Sequence, residues 1–88
     1  MNMSDEYPES LQEAIEMAKN KLSKMLGAPQ NTLAVISSEE ITWPDTSLGM
    51  PEPGKSYAQM LVEGYRIVLS FGDKKYEFHI GNGMVKMD

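Results

Sequence analysis

The chain of 88 residues has no cysteine, one histidine, one tryptophan and only eight basic side chains. Without cysteine there is neither a disulfide nor a thiolate metal site, so the stability of so short a chain has to come from packing. A lone histidine among scattered carboxylates offers no His-x-x-x-His pair and no calcium-loop spacing, and no metal or other cofactor is expected. Eight basic against thirteen acidic residues give a net charge of −5. A field of that sign repels phosphate backbones and anionic lipid, which argues against nucleic acid and membrane as partners. Long apolar runs are missing as well. Residues Met1 to Ser10 are polar and acidic, with no signal peptide or membrane span, and a cytoplasmic location is expected. The glycines of Gly81-Asn82-Gly83 and of Gly49 to Gly54 are not followed by a helix carrying Lys and Ser or Thr, so they mark turns rather than phosphate loops.

What remains is an ordinary globular composition, 41% apolar and 24% charged, in a chain long enough for one core. A flexible segment over residues 1–7 and a single domain over residues 8–88 are expected. Apolar residues at Leu11, Ala14, Ile15, Ala18, Leu22, Met25 and Leu26 recur every three or four positions and draw one stripe along an α-helix. Its start lies at Pro8 or at the capping box of Ser10 with Glu13, and Gly27 followed by Pro29 ends it.

Thr32 to Trp43, rich in β-branched residues, reads as a first strand, irregular near Ser37 to Glu40 where alternation fails. Pro44 to Ser56 holds three prolines and two glycines, too many for a strand, and forms a long loop. Three turns organise the remainder. A turn at Glu63-Gly64 sets a strand from Tyr57 to Val62 against Tyr65 to Phe71. One centred on Asp73-Lys74 pairs Leu69 with Phe78, and Asn82-Gly83 pairs Ile80 with Val85 and Phe78 with Met87. The three phases agree on one apolar face, centred on Ile67, Leu69 and Phe78, for the helix stripe to cover, and leave Arg66, Glu77, His79 and Lys86 on an open second face. The expected fold is therefore α+β: one N-terminal helix packed on a four- to five-stranded antiparallel β-meander.

Leu26-Gly27-Ala28-Pro29, the loop Trp43-Pro44-Asp45-Thr46-Ser47-Leu48-Gly49-Met50-Pro51-Glu52-Pro53-Gly54, Gly64-Tyr65-Arg66-Ile67 and Tyr76-Glu77-Phe78-His79 together resemble a family of small uncharacterised prokaryotic domains with no assigned activity. Relatives in that family carry a cysteine where Met50 stands and another where Met87 stands, and they look exported. If those cysteines are bonded, the resemblance implies that Met50 and Met87 are neighbours here.

Two functions from different classes are compatible with these residues. The first is a non-catalytic binding or interaction module, inhibitor-like in manner, that docks a protein or peptide with the proline-rich loop over residues 44–56 and the open sheet face, as a monomer or weak homodimer. Its candidate binding residues are Trp43, Asp45, Ser47, Leu48, Tyr57, Arg66 and His79; Trp43 and Tyr57 equally serve as anchors for the loop. The second is a small enzyme or enzyme subunit using His79 with Asp45 as acid and base. Ser47 completes the residue types of a Ser-His-Asp arrangement, yet Asp-x-Ser is also a common turn, and no strained Gly-x-Ser-x-Gly motif surrounds it. Catalytic residues are accordingly left unassigned.

Overall fold

The computed structural model describes residues 10–87; the expected flexible segment over residues 1–7 lies outside them. Helix α1, Leu11–Leu26, starts where the capping box places it. Ser10 is extended at φ −148° and its hydroxyl accepts from the Glu13 backbone N–H at 3.2 Å, which satisfies one of the donors a helix N-terminus leaves over. Gly27 ends the helix in the left-handed region at φ 67° with its N–H bonded to the Ser23 carbonyl, a conformation that glycine adopts without a Cβ penalty. A single 3-10 turn, Gln30–Thr32, then leads into four strands: β1 Ala34–Trp43, β2 Val62–Phe71, β3 Lys74–Gly81 and β4 Met84–Met87. They form one antiparallel sheet in the order β1-β2-β3-β4.

The helix stripe covers one face of this sheet. Ala14, Ala18 and Leu22 pack with Leu33, Ile67, Leu69, Phe78 and Ile80, and Tyr65, Tyr76, Val85 and Met87 close the rim. The three residues expected at the centre of the sheet face, Ile67, Leu69 and Phe78, are fully buried, as is Leu22 of the helix stripe that covers them.

Three expectations are corrected. No strand runs from Tyr57 to Val62, and Glu63-Gly64 is not a turn: both residues lie inside β2. The edge of β2 that such a strand would have used is taken along its length by β1, from Ala34 opposite Ser70 to Trp43 opposite Val62. The irregularity of β1 is a bulge between Val35 and Ser37, just ahead of the place where alternation fails. The β2–β3 register is two residues away from the expected one, with Leu69 opposite Tyr76 and Ile67 opposite Phe78. Gly72, at φ 63°, takes the positive φ that a two-residue hairpin needs, so the turn centres on Gly72-Asp73. A shift of two keeps every side chain on its own face, which is why the core survived the error. The Asn82-Gly83 turn, with φ of 50° and 72°, and its pairs Ile80–Val85 and Phe78–Met87 are as the dipeptide demands.

Candidate functional site

The second face of the sheet is not open. Residues 44–61, which join β1 to β2 without a strand of their own, fold back across it and make a second, smaller core of Trp43, Leu48 and Val62, with Ile41 and Met84 beside them.

Two strand glycines, Gly64 inside β2 and Gly81 at the end of β3, make room for the tryptophan. Gly64 and Gly81 face each other across β2 and β3. A Cβ on Gly64 would lie 1.9 Å from the Ile80 carbonyl oxygen and 3.0 Å from the Trp43 indole nitrogen, and one on Gly81 would lie 2.8 Å from Val62. The bare backbone lets the indole settle there and donate Nε1–H to the Ile80 carbonyl at 3.1 Å. A glycine inside a strand often marks such a close approach.

Beside the indole, one row of side chains crosses all four strands. Glu39 on β1 stands opposite Arg66 on β2, Arg66 opposite His79 on β3, and His79 opposite Lys86 on β4. Glu77 is placed diagonally and joins the middle of the row, its Oε2 accepting from Arg66 Nε at 2.7 Å and lying 2.6 Å from His79 Nε2. Arg66 also reaches Glu39 at 3.5 Å. The Arg66 hydrogen bond, then the His79 bond, hold the Glu77 carboxyl below the ordinary carboxylate range against the opposing effect of burial, and the same contact raises Arg66. Charge-assisted bonds of this kind are the stronger ones.

His79 is buried. Its ring stacks on Trp43 with centroids 4.4 Å apart, and Nδ1 meets the backbone carbonyl of Leu48 at 2.5 Å. A carbonyl can only accept, so the Nδ1 proton points at Leu48. This bond clasps the apex of the loop. Leu48 is itself at φ 56°, followed by Gly49 at φ 78°; a leucine in the left-handed region costs about 1 kcal/mol or more and persists only where its surroundings hold it. Here its side chain is fully buried in the second core.

The rest of the loop is tied by its own short-range chemistry. Asp45 accepts from both the backbone N–H and the hydroxyl of Ser47, which lowers its carboxyl pKa. Thr46 donates its N–H to Ala58 and accepts the Ala58 N–H on its hydroxyl, and the Tyr57 hydroxyl accepts from the Glu52 N–H at 3.0 Å. From β4, Lys86 donates to the Met50 carbonyl at 3.3 Å and lies 4.8 Å from the centre of the Tyr57 ring, a cation–π contact. Met50 and Met87 line the same depression at this edge.

Of the seven residues singled out from sequence, Trp43, Ser47, Leu48 and His79 are buried and Asp45, Tyr57 and Arg66 are half-buried. The structure joins Trp43, Leu48, His79 and, through Glu77, Arg66 into one cluster; Asp45 and Ser47 pair with each other, and Tyr57 stands with Lys86. Asp45 and His79 share no hydrogen bond: the carboxylate is taken by Ser47 and the ring nitrogens by Leu48 and Glu77. Ser47 points its proton at Asp45 and not at the histidine, and it is 4% exposed. Among the described residues no group of His, Asp and Glu side chains is arranged to hold a metal ion, and no helix is long and apolar enough to cross a membrane. Sequence inspection missed the roles of Gly64, Gly81 and Glu77; both glycines read as turn residues until the β2–β3 register sets them facing one another.

A family model described as Domain of unknown function (DUF8738) matches residues 15–87. The chain belongs to this family. The matched span runs from within α1 to the end of β4 and includes the whole clasped loop. No curated protein and no solved structure matches the chain. Membership in the family brings no activity with it, and the chemistry of the site has to speak for itself.

Proposed function

We propose that the domain is a non-catalytic protein-binding module whose binding element is the loop over residues 44–61. The observation that supports this most is the amount of structure devoted to fixing a segment that has no strand or helix of its own: a second core, a buried histidine bond and a lysine from the last strand. A segment fixed in this way loses little entropy when a partner docks on it. Its outer surface carries apolar side chains that the fold does not use. Met60 and Leu61 are 51% and 73% exposed, next to the half-buried Tyr57, a composition suited to the apolar centre of an interface.

A photo-crosslinker placed at Gln59 in the purified domain, incubated with extract of the source cells, tests the proposal. A discrete crosslinked protein is expected, lost when Met60→Glu and Leu61→Glu are combined in a variant whose circular dichroism is unchanged. An identical crosslinking pattern from the wild type and that double variant would remove the loop as the binding element.

A further inference from the structure

The charges of the chain are sorted by position. Lys19, Lys21 and Lys24 fall in the second half of α1, and Lys74 and Lys75 at the start of β3. None of the five has a carboxylate partner among the described residues. The topology brings the two groups to one end of the molecule. Residues 27–33 alone join α1 to β1, and Leu26 and Leu33 meet in the larger core, so the helix ends where β1 begins. There Ala34 stands opposite Ser70, and Phe71 opposite Lys74. Asp73 is the one carboxylate of the described residues at this end; the others lie in the first half of α1, past the middle of β1, at the start of β2, in the loop or beside Arg66. The helix dipole accounts for a lysine in the last turn of α1, but not for a pair of lysines on a strand.

The same end exposes apolar side chains that neither core uses. Met25 in the last turn of α1, Val35 and Ile36 at the bulge of β1, and Phe71 just ahead of the hairpin turn are 37% to 51% exposed. Val35 stands opposite Leu69, and Phe71 is two residues beyond it, which sets both on the helix face of the sheet. Met60 and Leu61, the other large apolar residues that are exposed, belong to the loop at the opposite end, where β2 starts.

We propose that this basic end is a peripheral docking surface for a bilayer that contains anionic lipid. Two features favour a bilayer over an acidic protein. A hairpin turn and a helix end project rather than enclose, so Phe71, Ile36 and Met25 suit a soft layer that they can enter. The cations are all lysine, compact charges that act on a diffuse layer of headgroups, whereas the fork of arginine suits a defined carboxylate. With the apolar tips in the headgroup region, the lysine stems lie along it and the ammonium groups stay at the level of the phosphates. The net charge of −5 does not prevent this. Screening acts over about 8 Å at physiological ionic strength, and β2, ten residues long, holds the acidic end of the sheet roughly 30 Å away at about 3.3 Å per residue. A bilayer therefore meets the lysines, and Leu61 and the start of β2 face away from it.

The probe is a vesicle of equal parts phosphatidylcholine and phosphatidylserine, compared with one of phosphatidylcholine alone. The domain is expected to float with the first and not with the second, and to be released as salt is raised. A lysine near such a surface is worth about fivefold in affinity. Lys24→Glu on the helix and Lys75→Glu on the hairpin should therefore each weaken binding about fivefold or more, and Lys55→Glu, the same change of charge on the loop, should leave it unaltered; circular dichroism checks that each variant is folded. Since the chain has no cysteine, a polarity-sensitive fluorophore can be placed at Ile36→Cys or at Leu61→Cys alone. Emission should move to the blue on anionic vesicles for the first label and stay fixed for the second. Equal binding to both kinds of vesicle, binding to neither, folded Lys24→Glu and Lys75→Glu variants of wild-type affinity, or a blue shift at Leu61→Cys in place of Ile36→Cys would each overturn the proposal. So would saturable binding of poly-glutamate without binding to vesicles, which would assign the end to an acidic protein.

Discussion

His79 is the residue on which the second face turns, because it meets the loop, the tryptophan and the charge row at once. Replacing it by alanine leaves the Leu48 carbonyl without its donor, unstacks Trp43 and opens a cavity beneath the loop. The orphaned acceptor alone costs about 1 to 3 kcal/mol. His79→Ala is thus expected to lower the urea midpoint and to shift the Trp43 emission to the red as water reaches the indole; an unmoved emission spectrum would show that the ring does not hold the loop. Glu77 gives the pH dependence. Its folded pKa lies below its ordinary value of 4.5, so its contribution is fully present above about pH 4.5 and is lost as the pH falls through the lowered value. The side chain is 30% exposed, and solvent screening keeps the effect modest, about 1 kcal/mol or less. Glu77→Gln should therefore destabilise the domain at neutral pH and make its loss of stability between about pH 4.5 and lower values shallower than in the wild type, measured by denaturant midpoints across that range.

At the scale of elements, what could be read from sequence was whatever local chemistry decides. Ser10 and Gly27 bound α1, Asn82-Gly83 bounds β3 and β4, and the helix period selects the stripe that meets Ile67, Leu69 and Phe78. The failures have a common physical origin in long-range pairing. Glu63-Gly64 looks like a turn until β1 is known to occupy the edge beside it, and only then does Gly64 become a strand residue with its own reason to lack a side chain. That reason is testable. Gly64→Ala would place a methyl against the Ile80 backbone carbonyl, which no side-chain rotamer can relieve, and is expected to cost about 3 kcal/mol or more. The sheet would have to part at the point where Trp43 bonds to Ile80. A Gly64→Ala domain of wild-type thermal stability would show that the β2–β3 approach is looser than described.

The whole molecule is a sheet with two unequal cores, the larger under the helix and the smaller under the loop. A domain of this size has a total stability on the order of 5 kcal/mol, and Leu69→Ala in the larger core should remove about 2 to 5 kcal/mol of it, enough to unfold much of the population at room temperature. The second core was only half legible. Proline content announced a stiff loop and Trp43 an anchor, but nothing local says that residues 44–61 return across the sheet, or that His79, placed on an outward face by alternation, is covered from above. The central claim is that this loop is fixed before any partner arrives. Backbone order parameters from amide relaxation test it most directly: the account predicts values near about 0.85 for Thr46 to Met50, equal to those of the strands, falling selectively in His79→Ala. Values below about 0.6 over those residues in the wild type would contradict it.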